Sequence, residues 1–244
     1  MLDRGTGRWF CFRCSYGGVL PGWEAEDAES YRHIAPDIRT FDPPPGWQEI
    51  AAGNGYHTRI AREYTLKRGI RTGPIAEAHL GISTDPPVES DGQDFRGRLI
   101  VPITASDGAW VGYVGRDYTG KSSLPYMYVR DMMRSRIMYN RQALDVATDK
   151  PVFVVEGTLD ALYLWPDAVA VLGTWSAEHV DFLLESKRPV VALLDGDAWR
   201  KGEALSMILE LHNVRSGHIK LPPKIDPGEC DRDWLDAEAH KCLW

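Results

Sequence analysis

Short apolar segments alternate with longer helical segments from Pro151 to Leu221, and this alternation constrains the fold more than any other feature of the chain. The predicted strands are Val152–Glu156, Ala168–Leu172, Val190–Leu194 and His218–Leu221, and the predicted helices are Leu159–Trp165, Ala177–Glu185 and Trp199–His212. Strands in which nearly every residue is apolar are buried on both faces, as in a parallel sheet covered by helices. This part of the chain therefore predicts an α/β domain built on a parallel sheet.

The residues before this domain predict a smaller, mixed α+β subdomain. A short helix is expected over residues 58–70, with Ile60, Tyr64 and Leu66 near one face and Gly69 at its end.

A β-hairpin is expected further along in the same subdomain. The apolar runs Leu99–Ile103 and Trp110–Gly115 are separated by Ser106-Asp107-Gly108, which has the composition of a turn. The two runs therefore predict neighbouring antiparallel strands.

Two cysteines near the N-terminus, Cys11 and Cys14, have the spacing of metal ligands and precede Gly17-Gly18. The pattern predicts half of a zinc ribbon, whereas a structural zinc ion needs four ligands. The other pair would lie upstream or on another polypeptide, unless the site has decayed. Further candidate zinc ligands are His33, Cys230, His240 and Cys242.

The net charge of −7 argues at first against a nucleic-acid partner, because lysine and arginine drive phosphate binding. The distribution of charge argues the other way, since residues 96–141 contain eight lysines and arginines against three acids. This asymmetry predicts a basic groove facing an acidic metal site. No apolar run approaches the roughly 18 residues that span a bilayer, so we expect a soluble, cytoplasmic protein.

Three acids follow predicted strands of the parallel sheet. Glu156 ends one strand, and Asp195 and Asp197 end another, with Gly196 allowing a tight backbone path between them. Functional groups gather at the carboxyl ends of such strands, and close carboxylates repel one another unless a cation joins them. Hard oxygen ligands without nearby His or Cys favour Mg²⁺ or Mn²⁺. Asp160, in the first turn of the next helix, is a further candidate ligand or a helix-capping residue.

The order of these acids resembles a known domain. Val154-Val155-Glu156-Gly157, then Asp160, then Asp195-Gly196-Asp197 is similar to the Toprim domain of bacterial-type primases, topoisomerases and some nucleases.

The preceding residues discriminate among these groups. Gly97–Ile103, with the pattern Gly-Arg-x-x-x-Pro-Ile, and Gly112–Arg116 resemble the catalytic core of bacterial and phage-type DNA primases. The segments 62–70, 80–83 and 139–143 are also similar to that core. The resemblance covers about three quarters of the chain, roughly residues 59–235.

The resemblance implies a Toprim domain at residues 149–244 with its C-terminal tail, preceded by a basic primase subdomain at 51–148. We expect residues 21–50 to form a linker, because they are rich in proline and acids, and residues 1–20 to form the partial zinc ribbon. The predicted fold class is thus α/β, with a mixed α+β subdomain before the parallel sheet.

The resemblance also implies a function. Glu156, Asp195 and Asp197 would be catalytic and hold two magnesium or manganese ions during synthesis of short RNA primers on single-stranded DNA. The residues expected to contact template or nucleotide phosphates are Arg96, Arg98, Arg116 and Lys121. The sequence contains no P-loop, so a replicative helicase would be a separate chain, as in a phage replication system. The alternatives are a Toprim nuclease and a DNA-binding primosome subunit that needs a partner.

Three segments leave questions open. Leu124-Pro125-Tyr126 lacks the lysine that primases usually carry there, and Trp199-Arg200-Lys201 stands before Gly202 where primases place a glycine earlier. Asp226-Pro227 offers either a further acid near the metals or an ordinary turn.

Overall fold

The computed structural model describes residues 8–11, 16–19, 38–89 and 92–243. The chain divides into two compact units, of which the first ends at Ile38 and the second begins at Arg39. The first unit contains an antiparallel hairpin of β1 (Arg8–Cys11) and β2 (Tyr16–Val19). Cys14 and most of the predicted linker lie outside the described residues, so the zinc ribbon stays a prediction.

An antiparallel sheet forms one half of the second unit. Its five strands, in spatial order, are β3 (Trp47–Glu49), β4 (Gly81–Ser83), β5 (Arg98–Thr104), β6 (Trp110–Asp117) and β7 (Tyr126–Tyr128). Strands β5 and β6 pair antiparallel across the turn at Gly108, which confirms the predicted hairpin. Helices α1 (Tyr56–Lys67) and α2 (Thr72–Glu77) belong to this half, and α1 packs on β4.

The predicted helix is present, and of the three residues expected near one face, Ile60 and Tyr64 are half-buried. Thr58, Ala61 and Thr65 are buried, whereas Leu66 is 44% exposed. These three positions follow the helical repeat, and their small side chains allow close approach to the sheet. The Thr65 hydroxyl donates a hydrogen bond to the Ala61 carbonyl at 2.5 Å, so its burial leaves no unpaired donor. The residues of this helix that are buried most fully are therefore not the three that the apolar pattern placed near one face.

A parallel sheet forms the other half of the second unit, as predicted. Its four strands are β8 (Val152–Val155), β9 (Ala168–Ala170), β10 (Val190–Ala192) and β11 (Ser216–His218), in the spatial order β11-β10-β8-β9. The helices are α3 (Thr158–Tyr163), α4 (Ala177–Leu184), α5 (Trp199–Leu211) and α6 (Arg232–Leu243). All three strand pairings are parallel.

Strand β11 begins two residues before the predicted start at His218. Ser216 and Gly217 pair with Val190 and Val191, and Gly217 lies against α6, where a Cβ would be 2.7 Å from Cys242 Sγ. The prediction followed the apolar residues at 219 and 221, which are buried just after the strand ends.

One hydrophobic core joins the two sheets. Buried side chains such as Ile82 and Val101 from the antiparallel sheet belong to the same cluster as Val155 and Leu162 from the parallel half. A further link is an antiparallel bridge between Tyr139 and Ala170. No helix in the described ranges is long and apolar enough to cross a bilayer. The predicted domain boundaries stay predictions, and β3 lies within the segment expected to be a linker.

A buried arginine, Arg188, connects several loops of the parallel half through hydrogen bonds. Arg188 donates hydrogen bonds to the carbonyls of Lys150, Pro151 and Ala143 and to Asp167 Oδ1 at 2.7 Å. Its side chain is 2% exposed. Burial raises the pKa of Asp167, but hydrogen bonds from Lys150 and Arg188 outweigh burial and leave this pKa below its ordinary value.

We expect Arg188→Met to lower the free energy of unfolding by about 3 kcal/mol at pH 7, because it removes the buried donor to three carbonyls and to one oxygen of Asp167, while Lys150 still pairs with the other oxygen. Glu185→Gln, which breaks the exposed pair with Arg141, should change it by less than about 1 kcal/mol. The pKa of Asp167 is depressed, so its stabilising contribution is present above the unfolded pKa and is lost as pH falls through the folded value. Urea unfolding at pH 7 and at about pH 4 measures both effects, and equal unfolding midpoints for the two variants would contradict this role.

Candidate active site

Acidic side chains gather at the carboxyl edge of the parallel sheet. Glu156 follows β8, and Asp195 and Asp197 follow β10, which is the neighbouring strand. Burial, and next the charge of Asp195, raises the pKa of Glu156 to about 7. Asp197 is exposed at the rim but also raises the pKa of Glu156. The three acids expected from the sequence therefore lie within electrostatic reach of one another.

Asp160 joins this group from the first turn of α3. Its Oδ1 accepts a hydrogen bond from the Gly228 amide at 3.2 Å. Burial, and then the charge of Asp195, raises the pKa of Asp160 to about 6. The carboxylate lies over Gly157, where a Cβ would be 2.7 Å from Asp160 Oδ2. Asp160 is thus directed at the acids rather than capping the helix.

Asp226 is the acid that the sequence left undecided. Burial and then the charge of Asp226 raise the pKa of Asp195 to about 6, and Asp226 also raises the pKa of Asp160. A single 3₁₀ turn, Pro227–Glu229, follows Asp226 and carries Gly228, the donor to Asp160. Asp226 therefore lies within electrostatic reach of Asp160 and Asp195, and the signal for it was the Asp-Pro pair after the last strand.

Gly196 permits the close packing that brings these acids together. A Cβ at this position would lie 1.8 Å from the Pro222 carbonyl oxygen, so the loop before Asp226 rests directly on Gly196. The Gly196 amide donates to the Ile225 carbonyl at 3.1 Å. The path between Asp195 and Asp197 is tight, as the sequence suggested, and the constraint comes from a neighbouring loop.

The chemistry of these side chains fits a hard divalent cation. All are carboxylates, and no ion pair in the described part of the chain involves Glu156, Asp160, Asp195 or Asp226. Their raised pKa values reflect burial and mutual repulsion, which a bound cation would relieve. Within the described ranges no three His, Cys, Asp or Glu side chains meet as a ready metal site. The donors are therefore of the type that Mg²⁺ or Mn²⁺ prefers, without a preformed cage.

Basic side chains face the acids across a cavity of about 450 Å³. Lys67 and Arg68, at the end of α1, line this cavity together with Asp160 and Asp226. The charge of Arg68 lowers the pKa of Asp160, although burial is the larger effect. The antiparallel half thus supplies cations to a cavity whose other wall is acidic.

Arg116 lies on the same side. Its Nε donates to the Tyr64 hydroxyl at 2.9 Å, and its guanidinium carbon is 4.5 Å from the centre of the Tyr126 ring. Burial raises the pKa of Tyr126 to about 12, and the charges of Arg116 and Asp160 both act on this group. Arg116 therefore adjoins the acidic edge in a fixed orientation.

Arg98 occupies a different environment from the one expected. It is 5% exposed, and it donates to the carbonyls of Gly115 and Leu124 and to Ser122 Oγ. Burial lowers its pKa, and Asp117 partly offsets this effect. Arg98 supports the loop between β6 and β7, and a contact with phosphate stays a prediction.

Two other predicted phosphate ligands lie at the surface. Arg96 pairs with Asp94 at 2.6 Å, and the Lys121 side chain is exposed. Cys11 ends β1, and Cys14 lies outside the described residues, so their zinc ligation also stays a prediction. Among the described residues Cys230 and Cys242 are free thiols.

The unusual segment after Asp197 opens helix α5. The centre of the Trp199 ring lies 3.9 Å from Lys220 Nζ. The guanidinium carbon of Arg200, the next residue in the chain, lies 5.4 Å from the same ring centre. Lys201 reaches Thr174 Oγ1 at 3.3 Å and lowers the pKa of Glu156, for which burial is the larger effect. Lys201 therefore brings a positive charge to the acidic edge.

No family model matches the sequence. A DNA primase of Staphylococcus aureus strain MSSA476 is 27% identical over 186 residues, which cover 70% of this chain and 30% of the relative. The chain thus spans less than a third of that curated relative.

Two solved structures share the fold. The zinc-binding and RNA polymerase domains of Aquifex aeolicus primase superpose with a TM-score of 0.62 and 22% identity, covering 75% of this chain and 55% of that chain. A DnaG primase catalytic domain bound to single-stranded DNA superposes with a TM-score of 0.61 and 23% identity, covering 78% and 74%. The resemblance of this chain to bacterial DNA primases is confirmed, and its fold is that of the primase catalytic core.

Proposed function

We propose that this chain synthesises short RNA primers on single-stranded DNA by nucleotidyl transfer. The observation that carries the proposal is that Asp160 and Asp226, which lie within electrostatic reach of Asp195, line one cavity together with Lys67 and Arg68. Nucleotidyl transfer needs both features, because it joins a triphosphate to a hydroxyl while negative charge develops on the departing pyrophosphate.

Glu156, Asp195 and Asp197 would hold the divalent cations, with Asp160 and Asp226 beside them. When bound, magnesium or manganese supplies the positive charge that promotes attack of the primer 3′-hydroxyl on the α-phosphate and offsets the charge of pyrophosphate. The carboxylates confine this charge to the sheet edge. The Gly228 amide donates a hydrogen bond to the Asp160 carboxylate and would fix its position where it lines the cavity.

The basic residues would position the phosphates. Arg116 is fixed by Tyr64 and Tyr126, and within the described residues no hydrogen bond uses its two terminal nitrogens. A planar guanidinium held in this way can contact two phosphate oxygens without losing its charge. Lys67 and Arg68 line the cavity and would hold the triphosphate opposite the acids.

The partners follow from the same proposal. The substrates would be a single-stranded DNA template and ribonucleoside triphosphates, in the cytoplasm, and one of the solved neighbours is described as bound to single-stranded DNA. A separate helicase would expose the template. The Cys11 and Cys14 pair would need two more ligands, from this chain or another, to bind zinc.

Glu156→Gln should lower primer synthesis by at least about 100-fold, because it removes a carboxylate that would hold the divalent cations at the reacting phosphates. Single-stranded DNA binding should stay unchanged. The measurement is the yield of labelled oligoribonucleotides from single-stranded DNA, ribonucleotides and Mg²⁺, with Glu185→Gln as the matched exposed control. Shortened DNA in place of oligoribonucleotides would indicate a nuclease, and full activity of Glu156→Gln would exclude catalysis at this edge.

Gly196→Ala should lower primer synthesis by about 100-fold, because its Cβ would meet the Pro222 carbonyl and displace the acids. Gly202→Ala is the control on the neighbouring helix, where a Cβ would lie 3.6 Å from the Ala192 Cβ. This second change should preserve activity and raise stability by up to about 1 kcal/mol. The two variants are compared by primer yield, by Mn²⁺ affinity from calorimetry and by the free energy of unfolding in urea. Wild-type Mn²⁺ affinity in Gly196→Ala would contradict the packing argument.

Arg116→Ala should weaken binding of single-stranded DNA and reduce the slope of log affinity against log salt by about 1, as loss of one phosphate contact does. Arg141→Ala is the control, since Arg141 pairs with Glu185 and lies 4.3 Å from the Phe182 ring centre. Fluorescence anisotropy at several salt concentrations measures both slopes. Equal slopes for the two variants would remove Arg116 from the phosphate contacts.

A further inference from the structure

A second cavity lies away from the acidic edge. Its volume is about 430 Å³, and it is lined by residues of both halves of the second unit. Helix α3 starts beside Glu156, whereas Trp165, which follows the end of α3, lines this cavity. The two sites are therefore at opposite ends of α3, and nothing in the proposed nucleotidyl transfer uses the second one.

Three indole rings form the apolar part of the wall. Trp47 and Trp110 stand edge to face, with ring centres 5.0 Å apart, and both pack on the buried cluster that contains Phe95 and Tyr113. Trp165 completes the wall from the parallel half. Because the core holds these rings, the cavity is a formed aromatic site.

The charged part of the wall is acidic. Glu77 accepts a hydrogen bond from Trp165 Nε1 at 2.6 Å, and Glu49 Oε1 lies 3.0 Å from His79 Nδ1. Each bond uses one carboxylate oxygen, and the other oxygen of each has no hydrogen bond among the described residues. The described residues lining this cavity include no lysine or arginine. The cavity thus attracts a cation and repels a phosphate.

We propose that this cavity binds an arginine side chain on a segment of another protein. A guanidinium group is flat, so it stacks on indole rings, and its paired N–H groups match a carboxylate. The three indoles and the two carboxylates provide both kinds of contact. Residues 24–37 of this chain contain five acids and one arginine, Arg32, so their net negative charge disfavours them as the occupant.

A nucleic-acid base could also stack on indoles, but its phosphates would meet Glu49 and Glu77 without a compensating cation in the wall. Lysine would satisfy the charge yet lacks the flat surface that stacks on the rings. Arginine is therefore the side chain that can contact both the indole rings and the carboxylates of the cavity wall.

The experiment is a titration of the full chain, labelled with ¹⁵N at its indoles, with the peptide acetyl-Gly-Arg-Gly-amide. We expect saturable shifts of the Trp47, Trp110 and Trp165 indole N–H signals, which Trp→Phe variants assign. The matched peptide with citrulline, which is uncharged and nearly the same shape, should produce no saturable shift. The two peptides are compared on the wild-type protein, and the Trp→Phe variants serve only to assign the indole signals.

The double variant Glu49→Gln, Glu77→Gln should bind the arginine peptide about fivefold or more weakly, whereas Glu185→Gln should bind it as the wild type does. Unchanged unfolding midpoints establish that the double variant is folded. Equal binding of the citrulline peptide, or unchanged affinity of the double variant, would overturn the proposal. Shifts of these indoles with oligodeoxythymidylate, and none with the arginine peptide, would assign the cavity to nucleic acid instead. None of these outcomes depends on primer synthesis.

Discussion

Partial burial of neighbouring carboxylates is the constraint on which the candidate site depends. Glu156, Asp160 and Asp195 have pKa values raised to between about 6 and about 7, so folding places them where ionisation is unfavourable. The fold tolerates this cost because the strands that carry the acids are fully buried and paired. Gly196 and the loop resting on it keep the side chains from moving apart. Burial, and next the repulsion among the acids, is what would favour a divalent cation at this edge.

The basic partner of this edge comes from a separate sheet, so the site depends on the common core. Lys67 and Arg68 end α1, and Arg116 lies on β6, yet their neighbours include Asp160 from the parallel half. The distance between the two groups is set by packing of the halves on each other, through the shared hydrophobic cluster and the bridge from Tyr139 to β9. A change in that packing would alter the electrostatics without touching a charged residue.

The sequence predicted the elements that show a local hydrophobic repeat, and it missed the features that depend on contacts between distant parts of the chain. Alternating apolar runs gave the parallel sheet and the order of the acids, because strand ends and burial follow local periodicity. The sequence did not predict the fully buried positions of α1, since Thr58 and Thr65 are polar residues that pack through their small size and satisfy their hydroxyls internally. Arg98 lies in a loop network that no local pattern reveals. Asp226 was left open because an Asp-Pro pair predicts a turn equally well.

Charge separation would also allow a chain of net charge −7 to bind nucleic acid, as proposed. The cations of α1 and β6 lie beside the acidic edge, while Glu49 and Glu77 line the cavity at the far end of α3. A net negative charge would repel DNA from the acidic parts of the surface, so the cations of α1 and β6 would be the favourable approach for a strand. The same acids that oppose nonspecific binding leave an aromatic cavity suited to a cation. The distribution of charge, and not its sum, therefore separates the two surfaces.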